Sequence, residues 1–329
     1  MKIKIIAEIA QGYEGKPDQA RLLAKAGVAC DADAIKFQCV YADDICVPDY
    51  KHYSFFKTLE MPLEVWADLS KIVHDAGKEF ILNVGGDKSL QMALEIEADA
   101  VKFHSTSFFC DDLIIFAKEN FKKIYISMGG ISVDEIKSFI KRHNIKPNGQ
   151  FSFTYGFQAS PTPLEKNNLN KLNALMKEFE GYTFGFEDHT DANVEARFVV
   201  PLMSIPIGVS HIEKHLTLDT LLNLEDAESA LSVSDFKKFV NSVRDVEKIF
   251  GNGDISLTDI EKDYRLRVLK VAVANKKLVK GHLIKEDDIA LKRVASPLEN
   301  GYLRKEQLIG KQIVRDIEKN EQILTGNIS

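Results

Sequence analysis

The chain has 329 residues, of which 45% are hydrophobic and 28% are charged, and its formal net charge is −6 at pH 7. This length and composition suit a folded protein with one large domain and a second, smaller one. The acidic balance lacks the basic surplus typical of nucleic-acid-binding proteins. No charge-free apolar run reaches the roughly 18 residues of a membrane-spanning helix. We therefore expect a cytoplasmic enzyme with neither a nucleic-acid nor a membrane partner.

Eight short apolar or β-branched segments recur along the chain, and amphipathic segments lie between them. The predicted strands are 3–10, 33–40, 79–85, 100–105, 123–129, 151–157, 183–189 and 206–215. Strict alternation of strands and helices is typical of right-handed βαβ units in a parallel sheet. Eight such units predict an α/β fold, the closed (β/α)8 TIM barrel. An open doubly wound sheet is the rival fold, but no GxGxxG motif follows the first strand.

The pattern changes after a long predicted helix at 233–249. Residues 251–266 are rich in Gly, Asn and Asp, and they predict a linker that follows a barrel domain at 1–250. Residues 267–329 alternate short strands with turns, which predicts a small, mostly β domain. Within the barrel domain, segment 41–61 is predicted to be a long loop with several aromatic residues. It either covers the barrel mouth as a lid or packs against the rim.

Polar residues mark the ends of the predicted strands. In a (β/α)8 barrel the reacting groups come from the C-terminal ends of the strands, because the βα loops meet there around one mouth. The polar residues at these ends are Glu8, Lys36, Gln38, Asn83, Lys102, Ser105, Ser127, Gln158, Glu187, Asp188, His189 and His215. Ammonium, hydroxyl, carboxylate and imidazole groups around one mouth predict a site for a phosphate group and a divalent metal ion.

Two lysines and two histidines carry the sharpest part of this prediction. Lys36 and Lys102 lie in otherwise apolar strands, where an ammonium without an anionic partner is very costly. Either an anionic ligand compensates them, or they form a structural pair with a carboxylate such as Glu8. His189 and His215 end neighbouring strands, where neutral imidazoles suit a divalent metal ion. For either histidine alone, a core position satisfied by the backbone is the alternative.

Several motifs, in their order and spacing, resemble the sialic acid synthase family of N-acetylneuraminate, legionaminic acid and pseudaminic acid synthases. They are AEIAQGYEG (7–15), ADAIKFQ (32–38), VKFHS (101–105), ISMGG (126–130), GFQASPTPLE (156–165), GFEDHT (185–190) and IEKHLT (212–217). The tail, with KGHLIKEDDIALKR (280–293), resembles the antifreeze-like SAF domain of these enzymes. The resemblance implies a reaction in which phosphoenolpyruvate condenses with an open-chain N-acyl hexosamine, giving a nine-carbon 2-keto sugar acid and phosphate.

The resemblance also implies roles for single residues. Phosphoenolpyruvate contacts are implied for Lys36, Lys102, Ser105 and Ser127. His189 and His215 match the ligands of a Mn²⁺ or Mg²⁺ ion, Glu8 matches an acid at the reacting centre, and Asp226 matches a sugar-binding acid. The chain departs from the family pattern at Asn83, Ser107, Gln158, Ser160 and Glu187.

These departures predict a hexosamine other than N-acetylmannosamine. Many relatives have a carboxylate that holds the hexosamine at the position of Ser107. Glu187 stands where a serine is usual, and it is predicted to take over the polar role of that carboxylate toward the sugar.

The resemblance further implies a homodimer with swapped SAF domains, in which Arg293 reaches the sugar bound by the partner chain. A surface ion pair is the alternative for Arg293. Two other functions stay open: a metal-dependent aldolase or epimerase that acts on a sugar phosphate, and a non-catalytic sugar-binding relative. We expect the synthase, a transferase of bacterial surface polysaccharide biosynthesis, because the acid, lysines and histidines of the mouth are all present.

Overall fold

The computed structural model of the protein describes residues 2–156 and 159–329. The chain divides into two compact units, Met1–Gly251 and Asn252–Ser329. The strands of the first unit are β1 Lys4–Ala10, β2 Ala34–Cys39, β3 Glu79–Val84, β4 Ala100–Phe103, β5 Ile124–Ser127, β6 Phe151–Tyr155, β7 Thr183–Asp188 and β8 His211–His215. Its helices are α1 Pro17–Ala29, α2 Ala42–Ile45, α3 Tyr53–Leu59, α4 Leu63–Asp75, α5 Asp87–Glu95, α6 Asp111–Asn120, α7 Val133–Arg142, α8 Leu169–Glu178, α9 Ala196–Ser204 and α10 Val233–Phe250.

The eight strands form a closed barrel in the order β1 to β8, and β8 pairs with β1 to close it. Every neighbouring pair in the barrel is parallel. The predicted (β/α)8 barrel is therefore confirmed. The eighth strand begins five residues later than predicted, because Pro206 lies in a short 3₁₀ turn and Gly208 follows with a φ of 104°. Among the described residues, no helix combines the length and hydrophobicity needed to cross a membrane.

Alternate residues of strands β1 to β5 enter two separate apolar clusters. Ile5 and Ala7 belong to the large cluster shared with the surrounding helices, whereas Ile6 belongs to a small cluster inside the barrel. The members of this inner cluster are Ile6, Ala34, Ile81, Ala100 and Tyr125. Because successive side chains of a strand point to opposite faces, the residues two positions further along face the interior too. Those residues are Glu8, Lys36, Asn83, Lys102 and Ser127.

The second unit is a small β domain, as predicted. Its elements are α11 Asp259–Val268, β9 Val271–Ala274 and β10 Ile289–Lys292, and the two strands are antiparallel. The segment predicted as a linker, 251–266, contains the first eight residues of α11, which begins at Asp259. The helix begins with a capping box, in which Thr258 and Glu261 satisfy each other's backbone N–H groups. This threonine and glutamate, three residues apart, were a sequence signal for a helix start.

Gly185 is required by the packing inside the barrel. A Cβ atom at this position would lie 2.0 Å from Nε2 of His211, whose ring packs edge-on against Tyr125 with 4.8 Å between the ring centroids. We expect Gly185→Ala to lower the free energy of unfolding by about 1–3 kcal/mol, the usual cost of overpacking a core. Urea unfolding measures the loss. In a His211→Ala background the same substitution should cost little, and an equal cost in both backgrounds would contradict this explanation.

Candidate active site at the barrel mouth

A cavity of about 580 Å³ lies at the C-terminal ends of the barrel strands, a volume within the usual range for small-molecule sites. Most of the predicted site residues line it: Glu8, Lys36, Asn83, Lys102, Ser160, Glu187, His189, His215 and Asp226. The structure therefore brings together residues that are far apart in the sequence.

Other predicted site residues do not line this cavity. Ser105 lies in a short 3₁₀ turn, and Ser107 donates a hydrogen bond to the Gly85 carbonyl oxygen at 3.4 Å. Ser127 is fully buried. Gln158 lies outside the described residues. Arg293 belongs to the second unit, where its Nε donates to the Val268 carbonyl oxygen at 3.0 Å.

A row of five ionisable side chains forms the floor of the cavity. Lys36 is paired with Glu8 and, at 2.7 Å, with Glu213. Lys102 is paired with Glu213 at 2.8 Å and with Glu187. All five side chains are buried. The structural alternative for the two lysines is thus present, and it includes the expected contact between Lys36 and Glu8.

Glutamates and lysines alternate along this row, and the alternation explains how the buried charges are tolerated. Burial alone raises the pKa of a carboxyl group. Lys102 nevertheless lowers the pKa of Glu187 to about 2, and Lys102 and Lys36 hold that of Glu213 well below its usual range. For Glu8 burial prevails over Lys36 and raises the pKa to about 8. At neutral pH two carboxylates therefore balance two ammonium groups, and Glu8 carries a proton.

A β-bulge positions Glu8 at the end of β1. The pairing of β1 with β2 shifts register between Glu8 and Ala10, and Ala10 has a φ of 50°. Its backbone N–H donates a hydrogen bond of 2.6 Å to Oε1 of Glu8. The bulge thus fixes this carboxyl group at the rim of the charged floor.

The contacts of Glu187 differ from those predicted. The sequence placed it in the sugar pocket, in compensation for the small side chain of Ser107. Its carboxylate instead pairs with Lys102 and accepts hydrogen bonds from Ser127 Oγ at 2.6 Å and from Thr154 Oγ1 at 3.3 Å. Glu187 thus shares the lysine and the serine that the resemblance assigned to phosphoenolpyruvate.

His189 and His215 lie side by side above this floor, with ring centroids 4.8 Å apart. Burial lowers the pKa of both imidazoles, so both are neutral at pH 7. Nδ1 of His215 is buried and accepts no hydrogen bond from a described residue. Neutral rings and this unsatisfied nitrogen fit metal ligation. Within residues 2–156 and 159–329, no group of three His, Cys, Asp or Glu side chains is suited to hold a metal ion. The two histidines therefore offer part of a coordination shell.

Asp226 forms another wall of the cavity. It adopts a left-handed conformation, with a φ of 63°, and Oδ2 accepts a hydrogen bond of 3.4 Å from the Gln11 backbone N–H. Burial raises its pKa to about 6. An acid in a half-buried wall is suited to hydrogen bonding with the hydroxyl groups of a sugar.

The segment between β2 and α4 forms the apolar side of the cavity. It contains the short helices α2 and α3, where a long loop was predicted. Tyr50 and Phe56 stack with 6.2 Å between their centroids, and both line the cavity. The aromatic residues of this segment therefore help to enclose the site.

Comparison with known proteins identifies the family. A sequence profile of the NeuB family matches residues 23–255, and a SAF domain profile matches residues 270–329. The chain belongs to the NeuB family. It is 29% identical over 323 residues to an uncharacterized protein of Methanocaldococcus jannaschii, covering 97% of this chain and 92% of that protein. It is 25% identical over 333 residues to a pseudaminic acid synthase of Campylobacter jejuni, covering 96% and 94%.

A solved structure supports the fold of this NeuB family chain. The putative spore coat polysaccharide biosynthesis protein E from Chromobacterium violaceum superposes with a TM-score of 0.80 at 16% identity, covering 100% of both chains. The relatives with a named activity include synthases. This NeuB family chain is accordingly an enzyme, a transferase that forms a carbon–carbon bond.

Glu213 and His104 are site residues that the sequence prediction missed. Both line the cavity. The signal for Glu213 was in the sequence, because His211, Glu213 and His215 alternate along β8 and so share its inner face. His104 follows β4 directly, and burial lowers its pKa. For His104, the only signal in the sequence was its position directly after a predicted apolar run.

Lys102 tests whether the charged floor supports the fold. We expect Lys102→Met to lower the free energy of unfolding by about 3–5 kcal/mol at pH 7, because it leaves the buried carboxylate of Glu187 without its cation. Lys71→Met is the matched control, since Lys71 forms an exposed pair with Asp75. Thermal and urea unfolding of both variants measure the difference. A second substitution, Glu187→Gln, should recover much of the loss, and no recovery would contradict the assigned pairing.

Proposed function

We propose that this NeuB family enzyme condenses phosphoenolpyruvate with an open-chain N-acyl hexosamine to a nine-carbon 2-keto sugar acid, with release of phosphate, in bacterial surface polysaccharide biosynthesis. One observation carries the proposal: a single cavity is lined by two buried lysines, two neutral histidines and a protonated glutamate. The similarity to a pseudaminic acid synthase supports the same class of product. A cytoplasmic location is part of the proposal.

The lysines are the groups suited to an anionic substrate. Lys36 and Lys102 both line the floor of the cavity. An ammonium group in a buried site binds phosphate or carboxylate oxygens strongly. Holding both substrates in one enclosed cavity replaces an encounter in solution by a positioned reaction. We therefore assign the lysines to phosphoenolpyruvate, with Asn83, Ser160 and Asp226 facing the hexosamine.

Glu8 is suited to move the proton that the reaction requires. Its pKa of about 8 leaves it protonated at neutral pH. It can donate this proton to the aldehyde oxygen of the hexosamine as the new carbon–carbon bond forms. The resulting carboxylate can then accept a proton from the water that attacks the former enol carbon. The phosphate group then leaves the tetrahedral intermediate with the electron pair of its carbon–oxygen bond, and it takes up the proton of the new hydroxyl group as the keto group forms.

His189 and His215 would hold a divalent cation, Mn²⁺ or Mg²⁺, in this site. Such an ion supplies Lewis-acid polarisation of a carbonyl oxygen. The neutral state of both imidazoles keeps their nitrogen lone pairs available at pH 7. Water and substrate oxygen atoms would complete the set of ligands.

The test of the proposed function is phosphate release from phosphoenolpyruvate with a panel of 2-acetamido and 2,4-diacetamido hexoses. We expect release that depends on one class of hexosamine, together with a nine-carbon product in the mass spectrum. N-acetylmannosamine should not be the best substrate. Cleavage or epimerisation of a sugar phosphate without phosphoenolpyruvate would instead support an aldolase or epimerase.

The metal assignment is tested separately. We expect His189→Ala and His215→Ala each to remove both bound metal and activity while leaving thermal unfolding nearly unchanged. Metal content is measured after gentle purification, and chelator should inactivate the wild type reversibly. His74→Ala is a suitable control, because His74 of α4 is paired with Asp99 at 2.8 Å and does not line the cavity. Full activity in excess chelator would rule out the metal.

We further propose a homodimer with swapped SAF domains, in which Arg293 of one chain contacts the sugar bound by the other. The division of the chain into two compact units supports an exchange of this kind. Lys36→Met and Arg293→Ala chains, each inactive alone, should recover part of the activity when refolded together. Mixed dimers that stay inactive would exclude the exchange.

A further inference from the structure

The carboxylate of Glu187 has a complete set of donors at the floor of the cavity. Lys102 supplies an ammonium group, Ser127 a hydroxyl at 2.6 Å and Thr154 a second hydroxyl at 3.3 Å. The single proton of the Thr154 hydroxyl is shared with the Ile126 carbonyl oxygen, which also lies at 3.3 Å. One ammonium and two hydroxyl groups that converge on one point are the donors that bind a phosphate group well. Here they already hold an anion that belongs to the protein.

Glu187 lies at the boundary between the cavity and two buried hydroxyl groups. Glu187 and Lys102 line the cavity, whereas Ser127 and Thr154 are fully buried and do not line it. The carboxylate of Glu187 therefore lies between these hydroxyl groups and the space open to a ligand. An anionic group that enters the cavity reaches the hydroxyls only after this carboxylate has moved.

The charges of the floor also allow Glu187 to move away from Lys102. Three carboxyl groups, those of Glu8, Glu187 and Glu213, surround the two ammonium groups. Lys102 also keeps Glu213 as a partner at 2.8 Å, so it stays paired when Glu187 leaves. Glu187 can thus be displaced without leaving a buried lysine unpaired, which would be costly.

We infer that Glu187 is a specificity-determining residue that occupies the anion cradle formed by Lys102, Ser127 and Thr154, and that a phosphate group binds there only by displacing it. The enzyme therefore binds phosphate weakly, both as part of the substrate and as the released product. The inference rests on the proposed function in taking a phosphate-bearing substrate for this cavity.

The experiment uses inorganic phosphate as the probe and isothermal titration calorimetry of the full chain as the measurement. Glu187→Ser should lower the dissociation constant for phosphate at least about tenfold, because it removes a like charge at contact distance from the ligand. Glu187→Gln keeps the shape and should show a gain in the same direction. Two variants with different shapes guard against a folding defect in one of them, and thermal unfolding confirms that each is folded.

Two controls locate the effect. Asp226→Asn removes a carboxyl group from the same cavity without touching Lys102, and it should change the dissociation constant less than about twofold. In a Lys102→Met background the gain from Glu187→Ser should disappear. Unchanged or weaker binding by both Glu187 variants overturns the inference. So does a gain that persists without Lys102, or an equal gain in Asp226→Asn.

The outcome separates this inference from the proposed function. Tighter phosphate binding by Glu187→Ser, with no turnover of phosphoenolpyruvate by any variant, supports the cradle and contradicts the synthase. Turnover by the wild type with no gain in the Glu187 variants supports the synthase and contradicts the cradle. Where both hold, Glu187→Ser should lower the KM for phosphoenolpyruvate more than it changes kcat.

Discussion

The need to pair two ammonium groups inside a barrel governs this site. An unpaired buried ammonium costs several kcal/mol, which is a large share of the whole stability of a typical domain. Lys36 and Lys102 meet this constraint by sharing Glu213, while Glu8 and Glu187 hold the two ends of the chain of charges. The result is a floor whose charges balance one another within the protein. Binding of the proposed anionic substrate would therefore be an exchange of partners, in which the incoming anion takes the place of a carboxylate that the protein supplies.

This balance divides the barrel interior into layers with different tasks. The lower layer is apolar and closes the barrel around Tyr125 and His211, where Gly185 leaves room for the imidazole ring. The charged layer lies one step higher on the same strands, and the histidines and Asp226 lie above it. Strands β1, β2 and β4 contribute to both the apolar layer and the charged layer, so the two-residue repeat of a strand builds the core and the charged floor together. A bulge at Glu8 and a left-handed turn at Asp226 adjust the rim where that repeat ends.

Membership of the NeuB family agrees with the residues that line the cavity, but the substitution at Glu187 sets this chain apart from the pattern it resembles. A serine would add one hydroxyl to the anion cradle, whereas a glutamate fills the cradle with charge. The effect of Glu187 on catalysis depends on the free energy needed to move its carboxylate out of the cradle, and the fold alone does not set this free energy.

The sequence by itself determined the barrel, the small β domain and most of the residues at the mouth, because strand periodicity and strand ends are local features. It did not determine that β8 begins at His211, that α11 occupies part of the predicted linker, or that Glu213 joins the two lysines. Lys36 and Glu213 are separated by 177 positions, and Lys102 and Glu187 by 85. Only the closure of the barrel, with β8 beside β1, brings these side chains into contact. Which carboxylate neutralises which lysine is therefore a property of the tertiary structure, since it depends on distances that no local pattern contains.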